Sequence, residues 1–227
     1  MCTLTWRRDP EQGLEVFFNR DELKTRPVAD PPARFEAGGG AFLSPRDPQG
    51  TGTWMLVNDR GVIVCLLNKW ELEGREIEGA RSRGRLVWSL AAAGSVDEVE
   101  AQLGDLSCYQ AFTLVVFSPG GDRCWEWDGD RVVAREVPDF LSSSSYRFEE
   151  VKEARKACFM AGKVGEALHE SRGEESSAYT VRMNRPDAQT WSRTRLQVSD
   201  QIRWEYLAEQ ADLLGEPERH VSEMALR

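Results

Sequence analysis

"CTLTWRRDPEQGLEVFFNRDEL", residues 2–23, decides the fold class. Cys2, Leu4 and Trp6 alternate with Thr3 and Thr5, the two-residue period of a strand with one face in a core. "DPEQG" (9–13) carries turn chemistry, and "LEVFFN" (14–19) returns as a second strand. The pair forms a hairpin. Cys2 therefore lies at the same end as the quartet Asn19-Arg20-Asp21-Glu22, with a thiol close to one guanidinium and two carboxylates.

Outward from this hairpin, residues 26–52 are rich in Pro and Gly and predict a long surface excursion. "AGGGAF" (37–42) lacks the Gly-Lys-Ser/Thr that completes a phosphate loop and reads as plain loop. "TWMLV" (53–57), the turn "NDRG" and "VIVCLLN" (62–68) predict a second hairpin, whose buried strand ends at Asn68. A helix is expected over 82–93, closed by Gly94. Ser95 and Glu98 form a capping box for a short helix through Leu103. "AFTLVVF", "RCWEWD" and "RVVAREV" predict three strands joined by the turns "SPGGD" and "DGD". The stripe Val151, Ala154, Ala157, Cys158 and Ala161 predicts an amphipathic helix over 147–168. "SRGEESS" (171–177) reads as loop, "AYTVRM", "TRLQVS" and "IRWEYL" as late strands, and 208–227 as a tail that is helical or disordered. Hairpins framing a helical block, with strands returning at the end, imply an α+β fold with antiparallel sheets. The expected organisation is a single domain over 1–207 and a C-terminal tail over 208–227.

Composition narrows the function. The 227 residues are 41 % hydrophobic and 30 % charged, with a net charge of −9, which argues against a phosphate-backbone binder and for no nucleic-acid partner. The arginines from Arg75 to Arg85 read as a solvated loop. The longest apolar runs are six residues, "VIVCLL" and "FTLVVF", far below the roughly 20 of a membrane helix. Five widely spaced cysteines without a C-x-x-C indicate neither a disulfide framework nor a zinc knuckle, and predict a reducing, cytoplasmic setting with no metal or other cofactor. Cys65, Cys108 and Cys158 read as small core residues. His169 and His220 have no ligand partner at helical spacing and read as surface residues.

Cys2 carries chemistry by its position. With Met1 removed, residue 2 owns both the thiol and the α-amine. An α-amine titrates at about 7.7–8.0 and can take the thiol proton near neutral pH, so nucleophile and base belong to one residue. Arg20 would favour the thiolate, giving a titration midpoint below the free-thiol value of about 8.5. A carboxylate, Asp21 or Glu22, could hold and orient the ammonium form.

Several segments match a known family in order: "MC", "NRDE" with Arg26-Pro27, "PRDPQGTGTW" (45–54), "LLN" (66–68), "SRGRLV" (82–87) and "SSSSYRFEEVKEARKACF" (142–159). On these the chain resembles the NRDE family, the Transport and Golgi organisation protein 2-like proteins. The resemblance implies kinship with cysteine N-terminal nucleophile hydrolases such as penicillin V acylase and bile salt hydrolase. It implies an αββα sandwich of two antiparallel sheets flanked by helices, and an amidohydrolase acting on an N-acyl amide bond of a small molecule. It also implies roles: Cys2 as nucleophile and base, Arg20 beside the thiol, Asn68 as an oxyanion donor, and Arg155 as a late arginine on a helix. Two departures stand out. Leu23 occupies the acylases' aspartate position, so Asp21, or else Glu22, is expected to substitute. The serine run replaces an asparagine, so Ser143 or Ser144 is expected to donate to the oxyanion or contact the ligand. The alternative reading is a non-catalytic binder of an acyl thioester or haem. A glutamine amidotransferase also begins Met-Cys, but Thr3 stands where that class has glycine.

Overall fold

The computed structural model describes residues 2–70, 77–173 and 177–227. Arg75, at the start of the arginine-rich stretch, and residues 174–176 of the "SRGEESS" loop lie outside the described residues. The chain divides into two compact units, Met1–Pro27 with Pro138–Glu223, and Val28–Val137 with Met224–Arg227.

The first unit is built on a six-stranded sheet. Its strands are β1 (Cys2–Asp9), β2 (Gly13–Leu23), β10 (Phe140–Ser143), β11 (Ala188–Val198), β12 (Gln201–Ala208) and β13 (Glu218–Ala225), in the order β10-β1-β2-β11-β12-β13. The predicted hairpin is present, with Cys2 opposite Arg20 and Asp9 opposite Gly13. Gly13 sits at φ +81°, and a Cβ there would come within 2.2 Å of the Val198 carbonyl oxygen, so the turn requires glycine. Directly opposite residues of antiparallel strands share a face. Leu4, Phe18, Val16, Leu196, Trp204 and Tyr206 thus form one buried apolar face. Helix α3 (Phe148–Met160) lies against β10, and α4 (Glu166–His169) against β2. The helix expected over 147–168 is therefore two helices.

The second unit is a seven-stranded meander of β3 (Asp30–Ala37), β4 (Gly40–Arg46), β5 (Met55–Asn58), β6 (Ile63–Asn68), β7 (Phe112–Ser118), β8 (Gly121–Trp127) and β9 (Val132–Arg135), each pairing antiparallel with the next. Helices α1 (Arg83–Ser89) and α2 (Val96–Leu103) bury Leu86, Val87, Leu90, Val99 and Leu103 against Leu56, Val64, Leu66, Leu114 and Trp125. Ser95 caps α2 by accepting from the Glu98 N–H, as expected, while the Glu98 carboxylate takes the Gly94 N–H. Gly84 of "SRGRLV" lets α1 touch the loop before β5: its carbonyl accepts from the Thr53 N–H at 3.1 Å. A Cβ on Gly52 would lie 2.3 Å from Gly84 backbone.

Several expectations fail, among them the core placement of Cys108 and Cys158, which are only half-buried. The excursion over 26–52 contains β3 and β4; Pro31 and Pro32 are tolerated because β3 is an edge strand. The supposed loop "AGGGAF" is the turn of that hairpin, with Gly38 and Gly39 at φ +58° and +77°. "AYTVRM" forms no strand, although Ala178, Val181 and Met183 are buried. The tail over 208–227 is ordered as a 3-10 turn (Ala211–Leu213) and β13 beside β12. The α+β class with two antiparallel sheets holds. No helix among the described residues is long and apolar enough to cross a membrane.

Candidate active site

β1 is an interior strand, so Cys2 has a neighbour on each side: Arg20 on β2 and Ser143 on β10. All three are buried, at 8 %, 5 % and 5 % exposure. Shared register puts their side chains on one face. The Cys2 N–H donates to Ser143 Oγ at 3.1 Å. The Asp21 backbone N–H hydrogen-bonds the sulfur and favours thiolate, as do the positive chain terminus and Arg20. Burial outweighs them and pushes the Cys2 thiol above its ordinary value, with the Asp21 charge adding to the rise. This is the chain with Met1 in place, in which the Cys2 nitrogen is still a peptide amide rather than the α-amine of the expected low-pKa site.

Alternation along β2 splits the NRDE quartet. Arg20 and Glu22 take the Cys2 face, where Glu22 lies 3.8 Å from Arg20 and 3.7 Å from Arg26. Asn19 and Asp21 take the opposite face with Thr3, Thr5 and Ser142. Asn19 Nδ2 donates to the carbonyls of His169 and Val181, each at 3.0 Å. Its Oδ1 meets His169 Nδ1 at 2.8 Å, and His169 Nε2 meets Thr5 Oγ1 at 2.8 Å. His169 is thus no surface residue but 2 % exposed. Burial, with Arg193 and Arg155 adding, pulls it down to about 3, so it is neutral across the physiological range.

Asp21 accepts from Arg155 at 3.0 Å and from the Thr190 hydroxyl at 2.7 Å. Its burial pushes the carboxyl up, opposed chiefly by the Arg155 guanidinium. Arg155 reaches from α3 with its side chain fully buried. It also donates to Thr3 Oγ1 at 2.9 Å, Ser142 Oγ at 3.4 Å and the Ala178 carbonyl at 3.0 Å. Its Nε has no partner among the described residues. Arg155 therefore does not join Cys2 and Arg20 in one pocket; it anchors the other face of the same strands.

Ser144 is occupied locally, donating to the Tyr146 carbonyl at 2.7 Å and accepting from the Tyr146 N–H. Asn68 is the half-buried last residue of β6, opposite Phe112 in the second unit. Among the described residues no trio of His, Cys, Asp and Glu is placed to hold a metal. Sequence reading missed Asn19, Thr190 and His169 as a buried network. The period-two pattern that put Asn19 and Asp21 on one face was the available signal.

The fold is that of conjugated bile acid hydrolase from Clostridium perfringens. One mutant of that enzyme superposes with a TM-score of 0.59 at 13 % identity, covering 100 % of this chain and 92 % of the hydrolase. A second variant gives 0.53 at 12 %, covering 99 % and 92 %. No curated protein matches the sequence. The family model described as Transport and Golgi organisation 2 matches residues 1–200, and with Cys2, the split quartet and the helix-borne Arg155 in place, the chain belongs to that family.

Proposed function

We propose that the protein is a cysteine N-terminal nucleophile amidohydrolase that cleaves the carbon–nitrogen bond of an N-acyl amide in a small molecule. The observation that carries this is the placement of Cys2 between Arg20 and Ser143 on one face, with a backbone N–H on the sulfur. Likeness in fold to a conjugated bile acid hydrolase supports it.

The reading requires removal of Met1. The freed α-amine takes the thiol proton, and the sulfur attacks the acyl carbon. The oxyanion is received by the Ser143 hydroxyl. Collapse expels the amine, which takes the proton from the α-ammonium, and leaves a thioester. Water then attacks the thioester, releasing the acid and restoring the thiol. Arg20 favours the thiolate. Asp21 and Arg155 are positioning residues, which hold Thr3 and hence the backbone at Cys2; Glu22 balances the charge of Arg20. Ser144 is left to its turn. All five cysteines are free, which suits a reducing cytoplasm.

The test is intact mass, to show loss of Met1, followed by incubation with a panel of N-acyl amides and mass detection of the released acid. Release by the native protein and none by Cys2→Ser is expected. Processed protein that releases acid from no member of the panel sinks the proposal. The raised Cys2 thiol favours a second reading, a binder of an acyl thioester or haem in which Cys2 contacts the ligand without turnover. Saturable, Cys2-dependent binding of either compound by a protein inert toward every amide would establish it.

A further inference from the structure

Helix α3 carries its charges in an order that its own chain does not balance. Val151 and Arg155 turn inward. On the opposite side Glu149, Glu153, Lys156 and Met160 recur at intervals of four, three and four residues, so they fall in one stripe about 16 Å long. All four are exposed, Met160 at 72 %, and so are Ala157, Lys163 and Val164 beside them. The stripe is acidic in its first half and basic in its second.

Elsewhere in this unit exposed charges are paired: Arg147 with Glu150 at 3.3 Å on α3 itself, Arg219 with Glu205 at 3.0 Å, and Arg203 with Glu223 at 2.6 Å. Glu149, Glu153, Lys156 and Lys163 make no ion pair among the described residues. Glu153 and Lys156 stand three apart, a spacing that can pair, yet do not. Glu149 suits the positive end of the helix dipole, but Glu153 lies one turn further, beyond its reach. Glu153 also sits four residues from Glu149, where like charges are destabilising. A helix that segregates unpaired charges beside an exposed methionine is complementary to its own antiparallel copy.

We propose that α3 is a self-association surface, on which a second copy of this chain lays its own α3 antiparallel. A two-fold axis between Glu153 and Lys156 sets Glu153 against the partner's Lys156, and by symmetry Lys156 against the partner's Glu153. Glu149 then lies toward the partner's Lys163, just past the helix end, and Met160 is covered by the partner's helix. Parallel packing would set Glu against Glu and Lys against Lys, so the charges fix the orientation. Each copy carries a net charge of −9, which opposes association except where lysine meets glutamate. One helix from each copy buries less than a standard interface, so the dimer is weak and reversible. Nothing in this pairing depends on the chemistry at Cys2.

The test is sedimentation velocity of the full chain from about 1 µM to about 1 mM, the range in which so small an interface forms and dissociates. Monomer–dimer exchange is expected. Lys156→Glu and Glu153→Lys each place like charges at both symmetry-related contacts, and each should weaken the dimer about tenfold or more. Glu153→Lys combined with Lys156→Glu restores opposite charges and should return to within about threefold of the parent. The positions are exposed, so each variant should keep the parent's unfolding midpoint. Lys156→Gln, which only removes the charge, serves if a reversal does not fold, with a smaller loss expected. A chain that is monomeric throughout the range, a dimer indifferent to both single reversals, or a double variant no better than the singles overturns the proposal. The first of these results would leave the stripe to a different occupant.

Discussion

The two faces of the first sheet differ in how they use the same strands. On one, Thr3, Thr5, Asn19 and Asp21 are tied to Arg155, His169 and Thr190 by hydrogen bonds of 2.7–3.0 Å. On the other, Cys2, Arg20, Ser143 and Ser192 form a row across four strands. A densely hydrogen-bonded buried network rigidifies the strands that carry it. The lesson is that adjacent residues of one motif do different work. Asn19 and Asp21 hold the strand ends still, and Arg20 addresses the thiol.

The largest effect should come from breaking the hydrogen-bonded face at its ion pair. Arg155→Ala leaves Asp21 buried beside an empty site and should cost about 3–5 kcal/mol in denaturant unfolding. Adding Asp21→Asn should recover part of that loss. An Arg155→Ala variant as stable as the parent would mean this face is not the anchor. Asn19→Ala, which strips the donor from two carbonyls and the acceptor from His169 Nδ1, should cost about 1–3 kcal/mol.

His169 adds a pH signature. Its folded value is about 3 against the ordinary 6.5, so below pH 6.5 the unfolded chain binds a proton that the folded one does not. Stability therefore falls as pH drops from about 6.5 toward 3, by up to about 1.4 kcal/mol per pH unit from this group. Measured against pH, His169→Gln should lack that part of the slope; parallel curves would place the ring in water. Glu22→Gln should be the mildest change, within about 1 kcal/mol, because Glu22 is partly exposed and its pairs are 3.7–3.8 Å long.

Much of this was legible in residues 2–23. The alternation of Cys2, Leu4 and Trp6 supplied the strand, and "DPEQG" supplied the register that puts Cys2 opposite Arg20. Burial of Asn19 and His169 was not legible, because "ALHES" has a polar context and the partners lie 150 residues apart. Nor was the bulge at 190–192, which no local composition marks and which alone turns Ser192 toward Arg20. Pro31, Pro32 and Gly38–Gly40 obscured β3 and β4, because the edge position that excuses proline is a tertiary fact. β13, rich in charge, likewise showed too weak an alternation to separate it from a tail.

The division between the faces is tested most directly by the pH profile of Cys2 alkylation with iodoacetamide, read by peptide mass in Met1-processed native protein and in Arg20→Ala. Arg20 lowers the thiol against the dominant effect of burial, so its removal should move the midpoint to higher pH. The profile of Glu22→Gln should shift far less, because Glu22 is not among the groups acting on the thiol. An Arg20→Ala midpoint identical to that of the native protein would contradict the assignment of Arg20 to the thiol.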